Sequence, residues 1–436
     1  MLNRRVSVYS AQNAAGTAVK AISPLKQLSR LVLANMLFQD NFYVDGKTTA
    51  DAVKQLVPKV DPKSVQQLAI AARSNYNLRH MPLFLGRELA RNGNLPADVL
   101  ATLIQRADEM GDFLSLYWSE GKTPISNQVK KGLAKAFGKF NEYQLAKYDR
   151  NSAAIRIRDV MFLTHVKPKN EAEAILYKKV ADQTLETPNT WETRLSGGED
   201  KAVVFQDLMA TKQLGALAFL RNLRNMVEAG ISESTIREYS TKVNAERVLP
   251  FRYIAAARIV PRFEDMLEAM LLRSLESHKK LSGKTKLYVD VSSSMYDPKV
   301  SAKSDITRQD ASLALAMLCR EICDDIEIYS FSGKALRIAP RRGFALADAI
   351  KNSQGCSGTD LARSLAQTES PADRIIVITD EQSYTSTKAP FGGAKGYVIN
   401  VGGYQNGINH AAWTTVTGFS EAVIDYIQAL ESEDLV

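Results

Sequence analysis

From about Ala18 to Lys280, apolar residues recur at helical spacing almost without a break. Val65, Leu68, Ala71 and Ala72 share one face, and Leu214, Leu217, Leu220, Leu223 and Val227 form another stripe at offsets of three and four. Pro and Gly punctuate the stretch repeatedly, at Pro58, Pro62, Pro82, Gly93, Pro96, Gly111 and onward. Asp61-Pro62 and Ser232-Glu233 read as helix starts, with Pro or an acid in the first turn. The pattern predicts many short helices joined by tight turns. Two arrangements fit it: antiparallel pairs stacked as a HEAT-like solenoid, or a globular helical bundle. At Ser282-Gly283-Lys284 the period changes. Strands are predicted over 287–291, 326–331, 335–339, 374–379 and 396–401, and helices over 306–323, 344–351, 360–366 and 421–430. Strands alternating with helices imply a mostly parallel, doubly wound sheet. The expected organisation is an all-α domain over 1–282 and an α/β domain over 283–436, since 436 residues exceed what one core supports.

Composition changes this picture in two ways. From Leu281 onward there are 15 Lys+Arg against 19 Asp+Glu, which leaves 41 against 29 before it. The helical part therefore carries the whole basic excess, which points to a polyanionic partner for that part. The three cysteines, Cys319, Cys323 and Cys356, are too few and too odd in number for a disulfide framework and fit a reducing cytoplasm. Cys319 and Cys323 are expected one turn apart on an apolar helix face with Leu315. The longest apolar-rich run near the start, Leu31–Phe38, is too short to span a membrane, and no apolar segment follows the basic start to make a secretory signal.

Chemistry concentrates at strand ends. Asp290-x-Ser292-x-Ser294 follows the first strand, Thr359-Asp360 precedes a helix, and Asp380 ends the strand 375–379. In a doubly wound parallel sheet these loops meet at one edge, where ligands collect. Two carboxylates and three hydroxyls suit a hard divalent cation such as Mg²⁺. Strand-exit turns favour the same residue types for local reasons, so the spacing has to carry the argument. No general base, nucleophile, H-E-x-x-H or P-loop accompanies the set, so an enzyme is not expected.

Basic residues recur along the helical part. Lys131, Lys135 and Lys139 line one helix face; Arg156, Arg158, His165, Lys167 and Lys169 follow; Arg221 and Arg224 share a face with Asn222 and Asn225 beside them. Arg73, Arg79, His80, Arg87 and Arg91 form an earlier group, and Arg247, Arg252 and Arg258 a later one. Each group alone reads as a solvated helix face. Together they suit phosphates and unpaired bases.

Two resemblances follow from these residues. Asp290-x-Ser292-x-Ser294, Thr359 and Asp380 resemble the metal-ion-dependent adhesion site of a von Willebrand factor type A domain, position for position. Asp159–Pro168 resembles the D-x-x-x-L-x-H-x-K-P region of the TROVE module of the Ro ribonucleoprotein family. Leu217–Leu223 resembles its L-R-N-L helix and Leu249–Tyr253 its Pro-Phe helix start. The resemblance implies a ring of helical repeats within one chain, closed by the A-type domain. It also implies single-stranded 3′ ends of misfolded noncoding RNA in a cavity, Y-like RNA on a basic outer surface, and a link to an exoribonuclease in RNA quality control. Carried over by position, His165 and Lys167, then Arg221, Asn222 and Arg224, are the implied RNA contacts. Lys131, Lys135, Lys139 and Arg252 are added from spacing and charge. The competing reading is a scaffold that grips an acidic partner protein through the cation.

Overall fold

A computed structural model of the chain describes residues 23–34, 46–76, 78–246, 248–296, 306–355, 358–380, 387–401, 412–417 and 422–432. Arg247, Cys356 and the segment 35–45 lie outside them. The chain divides into two compact units, one built on 23–33 and 50–199, the other on 200–434.

The first unit is helical throughout. Pro62–Ser74 packs on Ala97–Leu103, which packs on Asn127–Phe137, which packs on Ile157–Thr164; His80–Arg91 packs on Asp108–Tyr117. Each helix thus meets the second one after it, which makes antiparallel pairs stacked in two layers, the helical-repeat arrangement. Local sequence sets the ends. Asp61 accepts the Ser64 amide at the start of Pro62–Ser74, Ser126 accepts Val129, and Asn141 with Gln144 closes a capping box. The layers are pinned by buried charge. Arg73 donates from Nε to the Leu103 carbonyl and pairs with Glu109 at 2.7 Å. Glu109 also accepts the amides of Gln105 and Arg106.

Those contacts correct part of the sequence reading. Arg73, Arg79, Arg87 and Arg91 do not form a basic surface. Arg79 pairs with Asp108 and Asp112, Arg87 is buried against Glu88 and Glu120, and Arg91 pairs with Glu120. Most of their acid partners lie some thirty residues further along, one helical pair away, so spacing alone does not reveal them.

The second unit joins later helices to a sheet. Ala216–Glu228 packs on Pro250–Ile259, and Glu233–Lys242 on Glu264–Leu275. The sheet holds β1 (Leu281–Asp290), β2 (Cys323–Phe331), β3 (Ala335–Arg337), β4 (Arg374–Thr379), β5 (Lys395–Asn400) and β6 (Trp413–Thr417), in the order β3-β2-β1-β4-β5-β6. All neighbours are parallel except β2 and β3. The expected all-α part followed by a doubly wound α/β domain is therefore present. The change of period at Ser282-Gly283-Lys284 falls within this unit, because the last helices pack on the sheet's own helices: Glu268 accepts the Phe344 amide at 2.8 Å, and Arg258 pairs with Asp310.

Two details differ from expectation. Cys323 does not end the preceding helix; it opens β2, while Cys319 stays in the helix Arg308–Ile322, and both are buried. β6 has no apolar run to announce it and exists by pairing with β5 from Gly396↔Trp413 to Asn400↔Thr417. Among the described residues, no helix is long and apolar enough to cross a membrane.

Candidate cation site and nucleic-acid faces

The middle of the sheet positions the cation residues. β1 lies between β2 and β4, so its carboxyl end opens where the strand order reverses. Asp290, its last residue, is fully buried. One carboxylate oxygen accepts the Ser292 amide at 2.9 Å and the other the Thr379 hydroxyl at 2.6 Å. The Ser292 and Ser294 hydroxyls stand 3.2 Å apart. Asp380, one residue past β4, is also fully buried. The loop carrying Thr359 is tied to the same edge: the Asp360 amide donates to the Ser332 carbonyl at 2.8 Å, just beyond β2, and Thr359 is buried. Burial pushes the Asp290 carboxyl up to about 6, and the charge of Asp380 adds to the shift.

Two buried carboxylates with hydroxyls around them fit a hard divalent cation, which would supply the charge that their burial lacks. No group of three or more His, Cys, Asp or Glu side chains suited to a metal exists among the described residues, so any cation here would depend on the hydroxyls. The sequence reading missed one member of the site. Arg308, the first residue of its helix, donates from Nη1 to Asp380 at 3.2 Å and to the Ser294 carbonyl at 3.4 Å.

The predicted RNA residues separate into used and unused side chains. In the helical unit, Lys139 is committed: its ammonium donates to the carbonyls of Ala101 and Ile104 at 2.7 and 2.6 Å, closing the end of Ala97–Leu103. Burial lowers its pKa. Lys135 pairs with Asp98 at the surface, and Lys131 is exposed on the same helix. His165 and Lys167 are exposed, His165 in the left-handed conformation that ends Ile157–Thr164. Beside them stands Phe162, 55% exposed, with the Arg158 guanidinium 5.7 Å from its ring centre. Phe162 lies off the buried stripe of Ile157, Val160, Met161 and Thr164, an aromatic on the polar face that the sequence makes visible.

In the sheet unit, Arg221 and Arg224 are exposed, whereas Asn222 is 2% exposed. Its amide donates to Ala218 and its oxygen accepts Asn225, so Asn222 is engaged in helix packing. Arg224 has Glu228 one turn on at 3.5 Å. Arg252 lies over the Phe251 ring at 4.8 Å, and desolvation together with the charge of Arg221 lowers its pKa. Neither Arg221 nor Arg252 has an acidic partner among the described residues, and Leu217, one turn before Arg221, is 44% exposed.

Comparisons with known proteins bear on this arrangement. The TROVE domain family model matches residues 181–320. Telomerase protein component 1 of Rattus norvegicus and of Mus musculus are each 33% identical over 91 residues, 20% of this chain. The chain spans only 4% of the length of these curated relatives. The crystal structure of the Deinococcus radiodurans Ro (Rsr) protein superposes with a TM-score of 0.69 at 19% identity, over 93% of this chain and 99% of that one. Residues 181–320 thus match a TROVE domain, and the chain as a whole has the two-part fold of the Deinococcus radiodurans Ro protein.

Proposed function

We propose that the chain is an RNA-binding protein of the Ro type, taking noncoding RNA with a single-stranded 3′ end and Y-like RNA in the service of RNA quality control. A processing exoribonuclease is the fitting partner. The observation that carries the reading is Arg221 with Arg252: two exposed guanidiniums on helices that pack together, with no acidic ion-pair partner among the described residues. Such a pair is unfavourable until a polyanion arrives. The exposed Phe162, His165 and Lys167, with the half-buried Arg158 beside the Phe162 ring, add what RNA binding needs beyond phosphate contacts, since an unpaired base stacks on an aromatic ring next to a cation. A cation, Mg²⁺ by the chemistry of its oxygen donors, would be held by Asp290, Ser292, Ser294, Thr359 and Asp380. It would neutralise the buried carboxylates and leave the RNA contacts to the helices.

The test is a pair of substitutions. Arg221→Ser with Arg252→Ser is expected to weaken RNA binding about tenfold at 0.1 M salt and to flatten the slope of log affinity against log salt by roughly 0.7 for each phosphate that is no longer neutralised. Fluorescence anisotropy across a salt series reads both. Unchanged affinity and slope would show that these arginines do not bind the RNA.

A further inference from the structure

The buried carboxylates are answered in this structure by a cation that belongs to the chain itself. Arg308 opens the helix Arg308–Ile322, directly after the N-cap Thr307, whose hydroxyl accepts the Asp310 amide. A cation in the first turn opposes the helix dipole, which favours acids there. Helix stability therefore does not account for an arginine at this position. The side chain is almost wholly buried, and its Nη1 spans two parts of the cation constellation, the Asp380 carboxylate at 3.2 Å and the Ser294 carbonyl at 3.4 Å. Asp290 is reached by neutral donors, Thr379 and Ser292, and by no arginine or lysine hydrogen bond or ion pair among the described residues. The Arg308 guanidinium is thus a positive charge on one of the two buried carboxylates, Asp380.

We infer that Arg308 is a resident counter-ion that competes with a divalent cation for Asp380, so that this one side chain sets how tightly the site takes a cation. The inference rests on the cation-site reading above. A divalent ion held by the same oxygens would face a fixed positive charge within a few ångströms, where little water screens it. Either the guanidinium lets go of Asp380 or the ion binds weakly. Removing the charge frees Asp380 for the ion and takes away its paired guanidinium when no ion is present. The site becomes tighter for cations and less stable without them.

The experiment uses the full chain and Mn²⁺ as probe, counting free ion by electron paramagnetic resonance, with Mg²⁺ as competitor. Arg308→Gln and Arg308→Ser are compared with Arg308→Lys, Asp290→Ala and the unsubstituted chain. Both neutral variants are expected to bind Mn²⁺ at least tenfold tighter than the parent, by the loss of one adjacent like charge. Arg308→Lys is expected to stay within about threefold of it, since the charge is kept. In EDTA the neutral variants melt below the parent, and saturating Mn²⁺ closes that gap. Mn²⁺ taken up by the neutral variants alone, and lost on adding Asp290→Ala, would support the competition in its strongest form. Lower melting with unchanged or weaker Mn²⁺ affinity would overturn it, because Arg308 would then be a structural tie only. If no variant binds Mn²⁺ in an Asp290-dependent way, the cation-site reading fails and this inference fails with it. Binding by the parent without tightening in the neutral variants overturns the inference alone.

Discussion

Arg73→Met is expected to destabilise the helical unit by about 3–5 kcal/mol, because it strips a buried carboxylate of its counter-ion. Arg73 is nearly buried and Glu109 wholly so, and they meet at 2.7 Å. Removing the guanidinium also leaves the Leu103 carbonyl without its Nε donor at the end of a helix. Glu109 keeps the Gln105 and Arg106 amides on its other oxygen, and Arg79 stands 3.5 Å away, so the lower half of that range is favoured. The companion Arg73→Met/Glu109→Gln is expected to recover a large part of the loss, since replacing both charges removes the uncompensated ion. Urea unfolding of the single and double variants measures both. A loss below about 1 kcal/mol for Arg73→Met, the range of an exposed pair, would show that the pair does not anchor the layers.

The second large effect has the opposite sign. Asp290→Asn is expected to raise the stability of the protein in EDTA at pH 7, by about 3 kcal/mol at most. Burial lifts the Asp290 carboxyl from its ordinary 3.8 to about 6, so the folded chain holds that proton more tightly than the unfolded chain does. This contribution is fully present below about pH 4. It is lost as pH rises from there to about 6, and above that the folded protein carries an uncompensated buried anion at a constant cost. The asparagine variant lacks the slope. Melting temperatures of the two proteins in EDTA should converge at pH 4 and separate by pH 7. A gap that is constant across that range would mean that Asp290 is no more costly to ionise in the fold than in water. The trade is the one expected of a binding site, where stability is given up for a group held ready for a ligand.

These residues also show what a sequence can and cannot disclose. The central strands are legible because a buried parallel strand reads as an apolar run, as Ile375–Ile378 does. The beginning of β1 is not: Ser282, Gly283, Lys284 and Thr285 look like a linker, and become strand as Lys284 and Thr285 pair with Asp325 and Ile326 and Asp373 accepts the Lys284 amide. Asp290, Ser292, Ser294, Thr359 and Asp380 are legible because their identities fall at strand exits in order. Arg308 is not, because nothing in its local sequence points to a strand end 72 residues later. Among the basic residues, spacing cannot separate Arg73 and Arg87, consumed by Glu109 and Glu120, from the exposed Arg221 and Arg252. Asn222 and Asn225 look equivalent in the sequence; only packing shows that one is buried and accepts the other's amide.

Whether this chain binds RNA at a free single-stranded end is tested most directly by equilibrium titration with two hairpins of the same stem. One is blunt and the other carries a 3′ tail, and both are measured from low to moderate salt. The tailed RNA is predicted to bind at least tenfold tighter, with affinity falling linearly in log–log form as salt rises. Equal affinity for the two RNAs, or binding insensitive to salt, would contradict it.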